Sequence, residues 1–216
     1  MHTKAIAVGG EKGRKWTATP RGPHKKTESI PLIDVLKMLD LADKSEEAEK
    51  IISGGMIEVD GKPVKDSKYG VGLMDVLSIP KTKENFIVTT AKKGFTLKVV
   101  GSSKTKLCRV IGKRTLTGGK TQLNLHDGTN LISDKKVKVN DTIVLELPGR
   151  KLKEVIPYEA GNHVLVVSGR HRCEKGVVKE VLPGTAARKS LTAIGDFKTL
   201  TEYVFVIGKD KPMVEV

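Results

Sequence analysis

Cationic side chains crowd one short loop of this chain. From Gly161 to Val178 it reads GNHVLVVSGRHRCEKGVV. An apolar run, Val164 to Val167, ends near Gly169; the loop Arg170-His171-Arg172-Cys173-Glu174-Lys175 follows, and Gly176 opens a second apolar run. Guanidinium forks match phosphate oxygens, and glycine lets a backbone come close to a partner. Arg170, His171, Arg172 and Lys175 are therefore candidate phosphate-contacting residues. A second set precedes any hydrophobic periodicity: Lys12, Arg14, Lys15, Arg21, His24, Lys25 and Lys26, together with Trp16. Cations there can neutralise phosphates, while the indole can stack on a splayed base or pin the segment to the protein. A third set, Lys62, Lys65 and Lys68, follows the Asp60-Gly61 turn signal. Lys113-Arg114, Lys135-Lys136-Lys138, Arg150-Lys151-Lys153 and Arg188-Lys189 read as solvated charge of secondary interest.

Other chemistries fit poorly. His171-Arg172-Cys173 lacks the third and fourth ligands of a zinc site, since Cys108 is remote and His163 lies at the far end of the preceding strand. His126-Asp127 could be a base and its orienter, but Asp127-Gly128 is a turn signal and no nucleophile motif accompanies it. Gly9-Gly10 to Gly13-Arg14 is not a phosphate-cradling loop: no strand precedes it and no G-K-[ST] closes it. No catalytic residues, metal or cofactor are expected.

The formal net charge of +14 implies a polyanionic partner, nucleic acid before an anionic membrane. No apolar run approaches the roughly 20 residues that span a bilayer, no basic amphipathic helix is found, and the first residues lack a signal-length apolar stretch. Two distant cysteines read as reduced thiols of a cytosolic protein. Residues 1–28 hold seven Lys/Arg against two Glu (net +5), residues 29–80 six against ten acids (net −4), and residues 81–216 twenty-six against thirteen (net +13). Hence a basic arm precedes an acidic-leaning module, and the basic bulk follows.

The elements that must position these residues are α+β. Residues 1–28 carry Gly and Pro throughout and read as an arm that orders on a partner. Ser29 is expected to cap a helix with Pro31 in its first turn, its apolar face being Leu32, Val35, Leu36 and Leu39. Ser45 is expected to cap a second helix with Glu46 and Glu47 in its first turn, ended by Gly54-Gly55. A strand at Met56 to Val59 turns through Asp60-Gly61, and another runs from Asp75 to Ile79. Turn signals every 8–12 residues then suggest small β-barrels or sandwiches. The expected organisation is an arm at 1–28, a helix-helix-strand module at 29–90, a β-barrel-like central domain at 91–160 and a second small β-barrel at 161–216.

Residues 32–79, through LKMLDLADKSEEAEKIISGGMIEVDGKPVKD, resemble the RNA-binding module first known in bacterial small-subunit ribosomal protein four. Gly161 to Val178 resembles the KOW motif of ribosomal proteins and transcription factors. The ordered pair, with PRGPHKKTESIPL, VGLMDVLSIPKT, QLNLHDGTN, VNDTIVLELP and YVFVIGK, resembles one family over nearly the whole chain: the archaeal and eukaryotic ribosomal protein family S-four-e, in its archaeal form. The resemblance implies a structural, non-enzymatic constituent of the small ribosomal subunit in the cytoplasm. Its partners would be 16S-type ribosomal RNA and neighbouring ribosomal proteins, with no membrane and no small-molecule substrate. The bacterial module often has an arginine where this chain has Glu46, which moves the expected RNA contact to Lys62, Lys65 and Lys68. Two rival readings, a KOW-type factor or an accessory to an RNA-modifying enzyme, leave either the module at 29–80 or the missing catalytic domain unexplained.

Overall fold

The computed structural model describes residues 18–186, 188–209 and 211–213. It is mostly β with two α-helices, an α+β architecture, and it divides into two compact units. The first takes the chain up to Lys106 together with Asp127–Thr129 and Glu146–Lys151. The second takes Leu107–His126, Asn130–Leu145 and the chain from Leu152 onward.

In the first unit the order is β1 (Ser29–Pro31), α1 (Leu32–Met38), α2 (Ser45–Ser53), β2 (Glu58–Val59), β3 (Lys62–Pro63), β4 (Gly70–Gly72), β5 (Val76–Ile79), β6 (Glu84–Thr90) and β7 (Phe95–Val99). The apolar stripe behaves as its spacing predicts: Leu32, Val35 and Leu36 of α1 meet Ala48 and Ile52 of α2 in one core with Ile57, Val59 and Leu77. The helix starts differ from expectation. Ser29 does not cap α1; it lies in β1, which pairs antiparallel with β4, and its hydroxyl donates to the Lys25 carbonyl at 3.0 Å. A residue before proline prefers extended backbone, which keeps Ile30 in the strand. The amides of Leu32 and Ile33 instead donate to Tyr69 O (2.8 Å) and Ser67 O (3.0 Å), so the helix start needs no side-chain cap. Ser45 is the first residue of α2 rather than its cap. Glu47 Oε2 accepts the amides of Asp43 and Lys44 at 3.2 and 3.3 Å, and Ser45 Oγ accepts from Lys37 Nζ at 2.7 Å, tying α1 to α2. Gly55, at φ +68°, closes α2 as expected.

Strands β3-β2-β5-β6-β7 form one antiparallel sheet, so it continues past residue 90 through β7. Asp60 and Gly61 turn β2 into β3 with φ of 53° and 71°, the positive pair of a tight hairpin. The root of the arm, expected to order on a partner, is folded into this unit. Arg21 N donates to Lys68 O at 2.7 Å, and Gly70 N donates to Arg21 O at 2.6 Å. His24 is 8% exposed and its ring lies over Gly72, where a Cβ would collide with the imidazole.

The strands β8 (Thr105–Thr115), β9 (Thr121–Leu125), β10 (Asn130–Ser133), β11 (Thr142–Glu146) and β12 (Lys151–Ile156), most of whose residues lie in the second unit, form a sheet of order β10-β9-β8-β11-β12. Its core includes Cys108, Val110, Leu123, Leu125, Ile143 and Leu145. Then β13 (His163–Val166), β14 (Lys175–Leu182), β15 (Leu191–Ile194), β16 (Phe197–Leu200) and β17 (Val204–Gly208) form a sheet of order β16-β15-β14-β13-β17. Arg109 joins the two sheets, its guanidinium donating to the carbonyls of Glu202 (2.7 Å) and Val204 (3.0 Å).

A buried ionic cluster ties the first unit together. Lys106 is 1% exposed, and its Nζ donates to Asp60 Oδ2 (2.6 Å), Asp75 Oδ1 (2.6 Å) and Asp127 Oδ2 (3.2 Å). Arg150 Nη2 donates to Asp127 Oδ2 at 2.7 Å and lies 3.5 Å from Asp60 Oδ2. His24 Nε2 donates to both Asp75 oxygens, at 3.0 and 2.8 Å. Backbone amides complete the shell: Gly72 N to Asp75, Val76 N to Asp60, and Thr129 N to Asp127. Three carboxylates thus face one ammonium, one guanidinium and one imidazole. The set is neutral when His24 is protonated.

The protonation equilibria follow from that balance. Burial would push Asp75 up, but Lys106 and His24 hold it well below the usual carboxylate range. Burial would push His24 down, but the Asp75 carboxylate outweighs it and the ring binds its proton more tightly than a free imidazole. Asp60 goes up, through burial and the like charge of Asp75, against the pull of Lys106.

Two outcomes follow for the first unit. Lys106→Met leaves three buried carboxylates short of a cation and should cost about 3–5 kcal/mol, the range for breaking a buried pair from one side. Hydrogen exchange of the β5 and β6 amides reads this; unchanged protection would contradict the role of Lys106. His24 binds its proton more tightly folded than unfolded, so its contribution is complete below pH 6.5, the ordinary imidazole value, and is lost as pH rises through the raised one. The unit should lose stability over that rise, and His24→Gln should remove the His24 part of the slope in a denaturation series; an identical slope in the variant would refute it.

Candidate nucleic-acid interface

The folded arm root brings two of the cationic sets together. The Arg21–Lys68 backbone hydrogen bond sets Arg21, from the arm, beside Lys68, from the segment that follows β3, and both are exposed. Lys25 and Lys26 follow at the next turn, also exposed, with Lys25 in a surface ion pair to Glu28 at 3.3 Å. Such a pair contributes little and yields readily to a phosphate. Lys62 and Lys65 are also exposed; the Lys65 side chain passes over Gly55 at the end of α2, where a cation complements the helix dipole. Asp66 Oδ1 accepts the Lys68 amide at 2.9 Å and fixes the local turn.

His24 does not belong to this surface. It was expected among the nucleic-acid contacts, but its ring is buried and its Nε2–H is given to Asp75. It acts as an anchor for its exposed neighbours. Arg150, expected as solvated charge, is likewise drawn into the buried cluster through Asp127. Lys12, Arg14, Lys15 and Trp16 lie outside the described residues.

In the second unit, the basic loop joins β13 to β14. Val166 N donates to Glu174 O (2.9 Å) and Cys173 N to Val166 O (2.8 Å), so the hairpin closes tightly at its base. Arg170 and Lys175 are exposed, and His171 and Arg172 are half-buried. Burial lowers the Arg172 pKa from its ordinary value, which still leaves a cation at any physiological pH. His171 Nδ1 lies 3.1 and 3.2 Å from the two Glu174 oxygens. Its ring stacks on Phe197 at a centroid distance of 4.2 Å and an interplanar angle of 12°. Phe197 was not singled out in the sequence; the Gly195-Asp196 turn ahead of it was the available signal.

His126 Nδ1 accepts the Arg109 amide at 3.2 Å, while Asp127 is engaged by Lys106, Arg150 and Thr129. Among the described residues, no three His, Cys, Asp or Glu are grouped to hold a metal ion. Where three carboxylates do converge, the Lys106 ammonium occupies the cation position. Among the described residues neither cysteine is in a disulfide; Cys108 is buried and Cys173 partly so.

Comparison with known proteins agrees with the resemblance drawn from the motifs. Residues 82–152 match the model of Ribosomal family S4e, and residues 30–77 match that of the S4 domain. The small ribosomal subunit protein eS4 of Methanocella arvoryzae is 40% identical over 211 residues, covering 94% of this chain and 90% of that protein. Its counterpart in Methanothermobacter thermautotrophicus is 41% identical over 214 residues, covering 94% and 88%. The crystal structure of the 30S ribosomal protein S4e from Thermoplasma acidophilum superposes with a TM-score of 0.75 at 30% identity, covering 84% of this chain and 96% of that one. Identity of this extent, spread across both compact units, shows that the chain belongs to the ribosomal family S4e.

Proposed function

We propose that this chain is a structural constituent of the small ribosomal subunit that binds 16S-type ribosomal RNA and supports subunit assembly and translation. It works in the cytoplasmic ribosome by electrostatics and shape, without catalysis. The observation that carries this reading is the backbone bridge that holds Arg21 beside Lys68, with Lys25, Lys26, Lys62 and Lys65 also exposed on the first unit, on a scaffold whose buried carboxylates are matched by Lys106, Arg150 and His24. Because the buried carboxylates are matched inside, the surface cations are left to neutralise phosphates. The second unit adds Arg170, Arg172 and Lys175 on the hairpin loop between β13 and β14, the place of the KOW-like segment, and we read the β13–β17 sheet as the KOW β-module. The segment that precedes residue 18 adds the cations Lys12, Arg14 and Lys15, with Trp16 as a stacking or pinning group. Partners of this kind also include neighbouring ribosomal proteins.

If about 8–10 phosphates of irregular or single-stranded RNA are neutralised, log K falls against log salt with a slope of roughly −6 to −7. Filter binding of the full chain to a small-subunit ribosomal RNA transcript over a salt series measures it. Replacing Lys62, Lys65 and Lys68 together by Gln should flatten that slope by about 2, at about 0.7 per phosphate contact. A wild-type slope near zero, or a triple variant with the wild-type slope and affinity, would refute this surface as the contact.

A further inference from the structure

The loop between β13 and β14 carries an aromatic stack that phosphate neutralisation does not require. Its construction runs through four residues. Gly176, at the start of β14, has no side chain, and a Cβ there would collide with Ile194 Cγ2. Ile194 can therefore close against the strand; it is fully buried and pairs with Val178. That closure carries the turn after Ile194 and the first residue of β16, Phe197, to the end of the sheet where the basic loop emerges. Phe197 then lies beneath His171, the rings nearly parallel at 12° and 4.2 Å apart.

The imidazole is also fixed in its plane. An ionised carboxylate only accepts, so His171 Nδ1 must carry the hydrogen it gives to Glu174 at 3.1 and 3.2 Å. Glu174 is itself held, its amide donating to His171 O at 3.1 Å and its carbonyl accepting from Val166 N. The result is a ring whose lower face is covered by Phe197 and whose edge is held by Glu174. The His171 side chain nonetheless keeps 31% of its surface exposed, in a loop that also carries the exposed cations Arg170 and Lys175. A flat, partly exposed aromatic surface, held on one face and one edge in a loop that also carries Arg170 and Lys175, matches an unstacked nucleobase attached to a phosphate backbone.

We propose that His171 is a base-stacking platform: one unpaired RNA base continues the Phe197–His171 stack while Arg170 and Lys175 take its flanking phosphates. This rests on the RNA-binding reading above and assigns His171 a role distinct from that of the cations around it. A cation contact is paid in salt dependence, whereas a stacking contact is not.

The experiment compares the full chain bound to a twelve-nucleotide oligoadenylate and to an abasic ribose-phosphate strand of the same length, over a salt series. The preference for the strand with bases should fall at least about fivefold in His171→Ala and in His171→Leu, the lower end of what stacking contributes per base, with the salt slope unchanged. His171→Phe should retain the preference, and Arg170→Ala should flatten the slope while keeping it. The platform is overturned if His171→Ala and His171→Leu keep the wild-type preference, or if they flatten the slope as Arg170→Ala does. Failure of the wild-type chain to bind either strand would refute the RNA-binding reading itself, and the platform with it.

Discussion

A lysine ammonium sealed among three aspartates is the constraint on which the first unit depends. Removing an ion from water costs several kcal/mol even after relaxation, so Lys106 is tolerable at 1% exposure only where its attractions are close and its donors satisfied. Its three carboxylate partners stand at 2.6, 2.6 and 3.2 Å, and each of those carboxylates accepts a further backbone amide. The charges balance only when Arg150 and a protonated His24 join them. The raised affinity of His24 for its proton and the depressed pKa of Asp75 are two faces of the same balance. The cluster draws on residues 24, 60, 75, 106, 127 and 150, six separated stretches of chain. A misplaced strand would strand a buried charge, which makes the cluster a check on correct assembly as much as a source of stability.

This buried chemistry determines what is left on the outside. His24 holds the arm root down, the Arg21 bridge to Lys68 sets its direction, and the neighbouring lysines consequently face solvent from a fixed backbone. The acidic lean of residues 29–80 is thereby partly internal. Asp60 and Asp75, two of the ten acids counted there, are spent on Lys106 and do not repel an approaching phosphate. In the second unit a different device serves the same end. The close approach at Gly176 lets Ile194 pack against β14, and Phe197 stacks on His171 of the basic loop.

Much of this was legible in the sequence. The stripe Leu32, Val35, Leu36 marked α1, the pair Asp60-Gly61 marked its hairpin, and strands such as Thr121–Leu125 and Leu191–Ile194 fall where alternation and turn residues put them. The helix starts were misjudged for a tertiary reason: the amides at the head of α1 are satisfied by carbonyls from residues 67 and 69, which no local pattern around Ser29 reveals. The ionic cluster was hidden for a different reason. Asp60 and Asp127 announce turns, and both do sit at turns with a following glycine at positive φ, yet the same carboxylates reach inward. One residue satisfied two constraints, and the local one masked the other. Lys106 left a single trace, a cation at the head of the apolar stretch Leu107-Cys108, and His24 left none.

The central claim is that this chain is a built-in part of the small ribosomal subunit, and sedimentation of the tagged native protein from a cell lysate tests it most directly. In sucrose gradients at low and then high salt, the account predicts that the protein stays with the small-subunit peak through the high-salt wash, because many contacts hold it. Release to the top of the gradient at both salts would contradict the account.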